Sequence, residues 1–265
     1  MPLFIAGVLT GTLGTLIGAG GGFVMVPLLI FFYPQDSAEL ITAISLAVVF
    51  FNAFSGTVAY ARLKRIDYKS AIPFIVASLP GSFLGVELAR HFARTVFDPV
   101  FGVSLCALAI YLLTRTNSAA KPLARGRANS ERTLIMSNGE AYSYAFDMRL
   151  GLAISALTGF LSSVLGIGGG IIHVPAMVHW LNFPVHVATA TSHLTVMVMA
   201  LVATLQHLHS GVLDQGIDRI LYLAPGVVLG AQLGAYLSLK VRDLWILKLL
   251  ALALLAVGFR LVLLR

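Results

Sequence analysis

Gly18-Ala19-Gly20-Gly21-Gly22 runs on to Val26-Pro27, and Gly166-Ile167-Gly168-Gly169-Gly170 runs on to Val174-Pro175. The two segments are copies of one pattern, and each sits near the middle of a long apolar stretch, residues 2–33 and 150–181. At about 1.5 Å per residue, either stretch would make a helix about 50 Å long. A bilayer core of about 30 Å needs only about 20 helical residues. The glycines are where each stretch can break, giving two half-helices or a re-entrant hairpin. The second half-helices then fall at roughly 22–33 and 170–181. Six further apolar stretches, 40–61, 70–89, 97–114, 186–206, 218–239 and 244–264, are each suited to a single crossing.

Composition agrees. Of 265 residues, 58% are hydrophobic and 11% charged, with a mean hydropathy of +0.91. Soluble domains hold about 45–50% apolar and about 25% charged residues. A soluble domain of this size has too little polar surface to cover so much apolar material. The chain therefore reads as an all-α polytopic membrane protein of about 8–10 membrane helices. The net charge of +7 is carried by short connections and one linker, as membrane topology requires, and nucleic acid is not expected as a partner. Cys106 is the single cysteine, which excludes a disulfide framework, a cysteine zinc site and a redox pair. The N-terminus has no basic region before its apolar run, so a cleaved signal peptide is not expected.

Residues 115–149 differ in kind. Arg115, Lys121, Arg125, Arg127, Asn129, Ser130, Glu131, Arg132 and Asn138 mark a polar linker. Its tail, Tyr142 to Phe146, alternates polar and aromatic residues and suits the membrane interface. Three segments follow: a first transmembrane repeat at 1–114, a cytoplasmic linker at 115–149 and a second repeat at 150–265.

The halves match well beyond the glycines. Thr10-Gly11-Thr12-Leu13 pairs with Thr158-Gly159-Phe160-Leu161, and Thr42-Ala43-Ile44-Ser45 pairs with Thr189-Ala190-Thr191-Ser192. Pro80-Gly81-Ser82-Phe83-Leu84-Gly85 pairs with Pro225-Gly226-Val227-Val228-Leu229-Gly230. Four segments in one order at nearly one spacing define an internal repeat. The distribution of Lys and Arg does not decide whether it is parallel or inverted. Inversion is favoured because the second half-helices are too short to span comfortably, and transporters place binding sites between inverted broken helices.

A helix break in lipid leaves N–H and C=O groups that protein or a polar cavity must satisfy. A helix restarting at Gly22 or Gly170 would aim its amides and positive dipole end at the break, which suits an anion. The bland alternative, glycines that only permit close helix crossing, is outweighed by the repetition inside two over-long stretches. No strand precedes the cluster and no Lys-Ser or Lys-Thr follows it, so it is neither a dinucleotide fingerprint nor a P-loop.

The doubled G-x-GGG-x-x-x-V-P element, the serine-containing helix downstream and the P-G-x-x-L-G segment resemble the TauE/SafE sulfite exporter family. The resemblance covers the chain apart from the linker. It implies export of a small sulfur-containing anion, such as sulfite, sulfoacetate or a related organosulfonate, across the cytoplasmic (inner) membrane, driven by an ion gradient. A coupling proton or sodium ion, the lipid bilayer and the anion are the expected partners, in a monomer or homodimer with no cofactor and no metal.

The candidate substrate site comprises Gly20, Gly21, Gly22, Gly168, Gly169 and Gly170 with Ser45, Asn52, His173, Ser192 and His193. Intramembrane ionisable residues are functional candidates because burying them is costly, and an imidazole could couple anion and proton movement. Ser45, Ser192 and Asn52 could donate to sulfonate oxygens; their alternative is hydrogen bonding between helices, the preferred reading for Ser55 and Thr57. His179, His186, His207 and His209 read as interfacial. Arg90 lies one turn after Glu87 and is read as its ion-pair partner, and Tyr33, Tyr111, Trp180 and Trp245 as interface-belt aromatics. A passive anion channel with the same site is the alternative function. An intramembrane enzyme would need a nucleophile–base or metal constellation, and the sequence presents none.

Overall fold

The computed structural model describes residues 2–91, 94–115, 128–137, 139–241, 248, 251–252, 254–256 and 258–259. The last apolar stretch, 244–264, falls mostly outside them, as do Lys121, Arg125, Arg127, Asn138 and Trp245. The first long stretch divides into α1 (Pro2–Ile17) and α2 (Gly22–Phe32), and the other into α6 (Met148–Leu165) and α7 (Gly170–Trp180). Both breaks lie at the glycines. Between them come α3 (Ala38–Arg62), α4 (Tyr68–Ala89) and α5 (Arg94–Arg115). A strand pair, β1 (Ser130–Ile135) and β2 (Ala141–Phe146), precedes α6. After α7 follow α8 (Val185–His209), a 3-10 turn (Val212–Gly216) and α9 (Ile217–Leu237). Five of the described elements are long and apolar enough to cross a membrane, and the protein is an all-α polytopic membrane protein with one small hairpin.

Local chemistry sets several helix starts. Ser37 accepts from Leu40 N at 3.1 Å to open α3, Asp67 from Ser70 N at 3.2 Å to open α4, and Asp147 from Arg149 N at 2.9 Å to open α6. Beyond α2, Asp36 accepts from Arg219 of α9, whose guanidinium lies 3.7 Å from the centre of the Tyr33 ring.

The two mainly buried helices, α3 and α8, pack against each other at the centre. Along their flanks α1 packs on α9, and α6 on α4. Small residues make these outer pairs possible. A Cβ added at Gly11 would stand 2.6 Å from the Val227 carbonyl oxygen, so the two backbones touch. Gly226, Gly230 and Gly234 return the approach towards α1 at four-residue spacing, and Gly81, Gly85 and Gly159 do the same between α4 and α6. Without a hydrophobic drive between helices in lipid, such close backbone packing is what holds them together. Ile72, Val76, Phe83 and Leu84 on α4, with Leu221, Leu229 and Leu233 on α9, remain exposed and give the bundle an apolar exterior.

Residues 130–146 are more than the polar connection expected of them. The strands pair antiparallel, Ser130 with Phe146 through Ile135 with Ala141. The polar–aromatic alternation is a strand period, with Tyr144 and Phe146 turned onto the bundle and buried. Phe183, between α7 and α8, lies 4.5 Å from Tyr144 and 4.9 Å from Phe146, ring centre to ring centre. Tyr144 donates to Asp67 Oδ2 at 2.8 Å, and Arg132 Nε stands 3.8 Å from the same oxygen. Burial, and then the neighbouring Asp67 carboxylate, push the Tyr144 phenol up from its ordinary pKa, so it keeps its proton and goes on donating. Asp67 thus both caps α4 and anchors the hairpin.

Some placements match the sequence reading and two do not; the first is Thr57, read as bonding between helices, whose buried Oγ1 has no partner among the described residues. Arg90 meets Glu87 at 2.9 Å and also Glu39 at 3.6 Å. Ser55 joins helices, donating to Val228 O at 2.8 Å. Trp180 is exposed, whereas the side chain of Tyr111 lies outside the described set. His207 is not interfacial: it is fully buried, because α8 continues to His209 and residues two apart face opposite ways, with His209 exposed. Tyr144→Phe, which leaves Asp67 one donor short, is expected to weaken hairpin docking by about 1.5–3 kcal/mol. Hydrogen exchange over residues 130–146 measures it, and unchanged protection contradicts the anchoring role.

Candidate functional site

Both breaks are built alike. Gly18, Gly20 and Gly21 take φ of +79°, +73° and +85°, while Gly166, Gly168 and Gly169 take +69°, +79° and +66°. A side chain is strained at such angles, so these positions need glycine. Gly21 and Gly169 stand at the starts of α2 and α7, and neither start has a side-chain cap. The breaks also interlock. A Cβ on Gly22 would lie 2.6 Å from the Ile167 carbonyl carbon, and one on Gly170 would lie 2.7 Å from Ala19 Cα. Two helix N-termini, each equivalent to roughly half a positive charge, are thereby brought to one buried place in the centre of the bundle.

The serines answer the other half of the problem. Ser45 of α3 donates to Gly166 O at 2.6 Å, and Ser192 of α8 sits 3.5 Å from Gly18 O. These are carbonyls that α6 and α1 leave behind where they stop. In this conformation each hydroxyl proton is spent on the break itself, which makes Ser45 and Ser192 supports of the breaks.

A relay of side chains runs into the first break. Thr15 donates to Asn52 Oδ1 at 3.1 Å, and His193 Nε2 lies 3.3 Å from the same hydroxyl. Thr15 Oγ1 thus stands between Asn52 Oδ1 and His193 Nε2 and links the two side chains. Tyr60 completes the group by donating to Thr15 O at 2.6 Å, with its ring 5.6 Å from His193, centre to centre. With its oxygen held by Thr15, Asn52 turns its Nδ2 towards the break, 3.5 Å from the place a Gly21 Cβ would take. Asn52 Nδ2 and Thr10 Oγ1 are buried and have no hydrogen-bond partner among the described residues.

His173 goes elsewhere. Although it follows the second cluster, its Nε2 reaches Ser155 of α6 at 3.1 Å, and its ring meets Phe74 of α4 at 5.7 Å. Ser155 donates its own proton to Gly151 O at 2.8 Å, so His173 Nε2 is the donor. The structure therefore gathers the six glycines, Asn52 and, through Thr15, His193, and leaves His173 on the side facing the hairpin. Sequence reading missed Thr10, Thr15 and Tyr60. Thr10 carried a signal, standing in the repeat two residues before Thr12, whereas Thr15 and Tyr60 matter only through partners distant in sequence.

Helix starts without side-chain caps meet inside an apolar membrane bundle, and sequence comparison gives the class, a polytopic membrane transporter. The family model for the sulfite exporter TauE/SafE matches residues 3–261, and the chain belongs to that family. It is 32% identical to Probable membrane transporter protein YunE of Bacillus subtilis over 98% of this chain and 96% of the relative. A probable membrane transporter protein of Methanocaldococcus jannaschii is 31% identical over 72% of this chain and 65% of its own length. One of Xylella fastidiosa is 25% identical over 89% and 83% respectively. No solved structure matches the chain.

Gly56 lets the relay form, since a Cβ there would stand 2.5 Å from His193 Nε2. Gly56→Ala is expected to displace the imidazole from Thr15 and lower stability by about 1–3 kcal/mol. Thermal unfolding in detergent measures this, and an unchanged midpoint contradicts the tight fit.

Proposed function

We propose that this protein is a secondary active transporter that exports a small sulfur-containing anion, sulfite or an organosulfonate, across the cytoplasmic membrane. The anion is held where the two glycine breaks meet, and an ion gradient, of protons or sodium, drives its movement. One observation carries the reading: two buried, uncapped helix N-termini interlock through Gly22 and Gly170, and amides and dipole ends at such a place favour negative charge. The family description supplies the substrate class. The matching φ signs at Gly18, Gly20 and Gly21 and at Gly166, Gly168 and Gly169 support treating the halves as one repeat around the site, and two short half-helices meeting there suit an inverted one. With three or more Lys or Arg in each, the 62–69 loop and the linker belong on the cytoplasmic side.

Transport then works by rearrangement around a fixed site, as in other repeat transporters. The site is buried in this conformation, so an anion enters only when parts of the bundle move relative to one another. The α1–α9 and α4–α6 pairs tie each half to the other through glycine contacts, and they are the natural rigid units of such a motion. Gly21→Val and Gly169→Val each place a β-branched residue at positive φ, and each is expected to abolish sulfite efflux from proteoliposomes while the protein still inserts. Efflux at the unsubstituted rate in both variants rules out the site between the breaks.

A further inference from the structure

A second place on the molecule joins charge to apolar surface. At the end of the bundle away from the 62–69 loop, Phe83, Glu87 and Arg90 of α4 and Val202, Gln206 and His209 of α8 line one groove of about 390 Å³. The two helices pack together and both finish there. Each contributes residues at i, i+4 and i+7, which is one helix face. A rise of about 1.5 Å per residue sets Phe83 and Val202 about 10 Å deeper than Arg90 and His209. The groove is therefore apolar at its inner end and polar at its mouth. Phe83 is exposed on the apolar exterior, so the groove opens to lipid where two spans end, at the boundary between hydrocarbon and headgroups.

The charges at the mouth are mixed. Arg90 Nη1 meets Glu87 Oε2 at 2.9 Å, and its Nε stands 3.6 Å from Glu39 Oε1. A guanidinium has five N–H donors, and these two contacts leave both hydrogens of Nη2 over. Two carboxylates face one guanidinium, so the mouth as a whole attracts a positive group. The Glu87 side chain is half exposed, and Gln206 Oε1 is buried with no partner among the described residues. A buried acceptor left unmatched is costly, and this one calls for a donor from outside the chain.

The fitting ligand has an N–H-bearing cation for Glu87 and Gln206, an anion in reach of Arg90 and an apolar tail for Phe83 and Val202. We propose that the groove seats one phospholipid with an ethanolamine head: its ammonium on Glu87 and Gln206 Oε1, its phosphate on Arg90, and an acyl chain running down between α4 and α8. The site shares no residue with the glycine breaks and stands whatever anion is carried there. Phosphatidylcholine brings the same phosphate and chains, but its quaternary ammonium has no N–H to donate. Phosphatidylglycerol brings an anion and no cation to a mouth that already has a carboxylate to spare.

Competition among the three lipids tests this directly. Their dioleoyl forms are added in equal amounts to the full-length protein purified in detergent, and native mass spectrometry reads which lipid each chain retains. The first lipid bound is expected to be phosphatidylethanolamine, preferred about tenfold over either competitor, with further lipids showing no preference. Glu87→Gln, which removes the counter-charge of the ammonium, and Gln206→Leu, which removes the acceptor, are each expected to cut the preference over phosphatidylcholine at least about threefold. Gln206→Glu, which keeps an acceptor, retains it. Equal retention of phosphatidylethanolamine and phosphatidylcholine, a preference for phosphatidylglycerol, or no retained lipid overturns the proposal. An undiminished preference in folded Glu87→Gln and Gln206→Leu overturns it too, because the lipid then sits elsewhere. The competition in the unsubstituted protein decides headgroup selection even where a variant fails to fold.

Discussion

Backbone polar groups cannot be left unpaired inside a bilayer, and this structure is organised around two places where helices nonetheless stop. Each break frees carbonyls on one side and amides on the other. Ser45 and Ser192, on the two central helices, take the carbonyls of Gly166 and Gly18. The amides at the starts of α2 and α7 have no side-chain caps. Side chains thus meet the carbonyls of each break, no side chain caps the helix that restarts, and the two restarts meet. Because α3 and α8 supply the serines, the position of the central pair and the existence of the breaks are one problem with one solution.

The rest of the bundle serves that centre. α1 and α6 must run close to α9 and α4 if their broken ends are to interlock, and lipid supplies no hydrophobic force to press them together. Glycine at every fourth position of α9, and its counterparts on α1, α4 and α6, bring backbone onto backbone instead. The hairpin at 130–146 belongs to the same economy. Its aromatic face lies on Phe74 and Phe183. Asp67, which anchors it, also receives a contact from the central helix, its N–H donating to Thr191 Oγ1 at 3.0 Å. Thr191 directly precedes Ser192, the residue beside the first break.

Repeated backbone geometry with unequal side chains is a way to make one site from two halves. The glycines keep both breaks alike, whereas Asn52 against Met199, and Leu46 against His193, make the surroundings unlike. His193, from the second half, reaches across to Thr15 in the first. The asymmetry is therefore a product of both halves and is written in neither alone.

Hydropathy and length determined the membrane class, the helix boundaries to within a few residues and the two breaks, since a 30-residue apolar run cannot cross a thin hydrocarbon layer as one straight helix. The doubled glycine pattern and the family were legible for the same reason: a break that needs positive φ in tight quarters favours glycine, so the same residues recur in both halves. Which polar side chains meet was not legible. Thr15, Asn52, Tyr60 and His193 come together from three helices, and contacts between residues far apart in sequence leave no local period to read. His173 looked equivalent to His193, yet the turn of α7 sends it to Ser155 and Phe74. The strand period at 141–146 was visible as alternation, but only packing against Phe183 and Asp67 decided that it would fold onto the bundle.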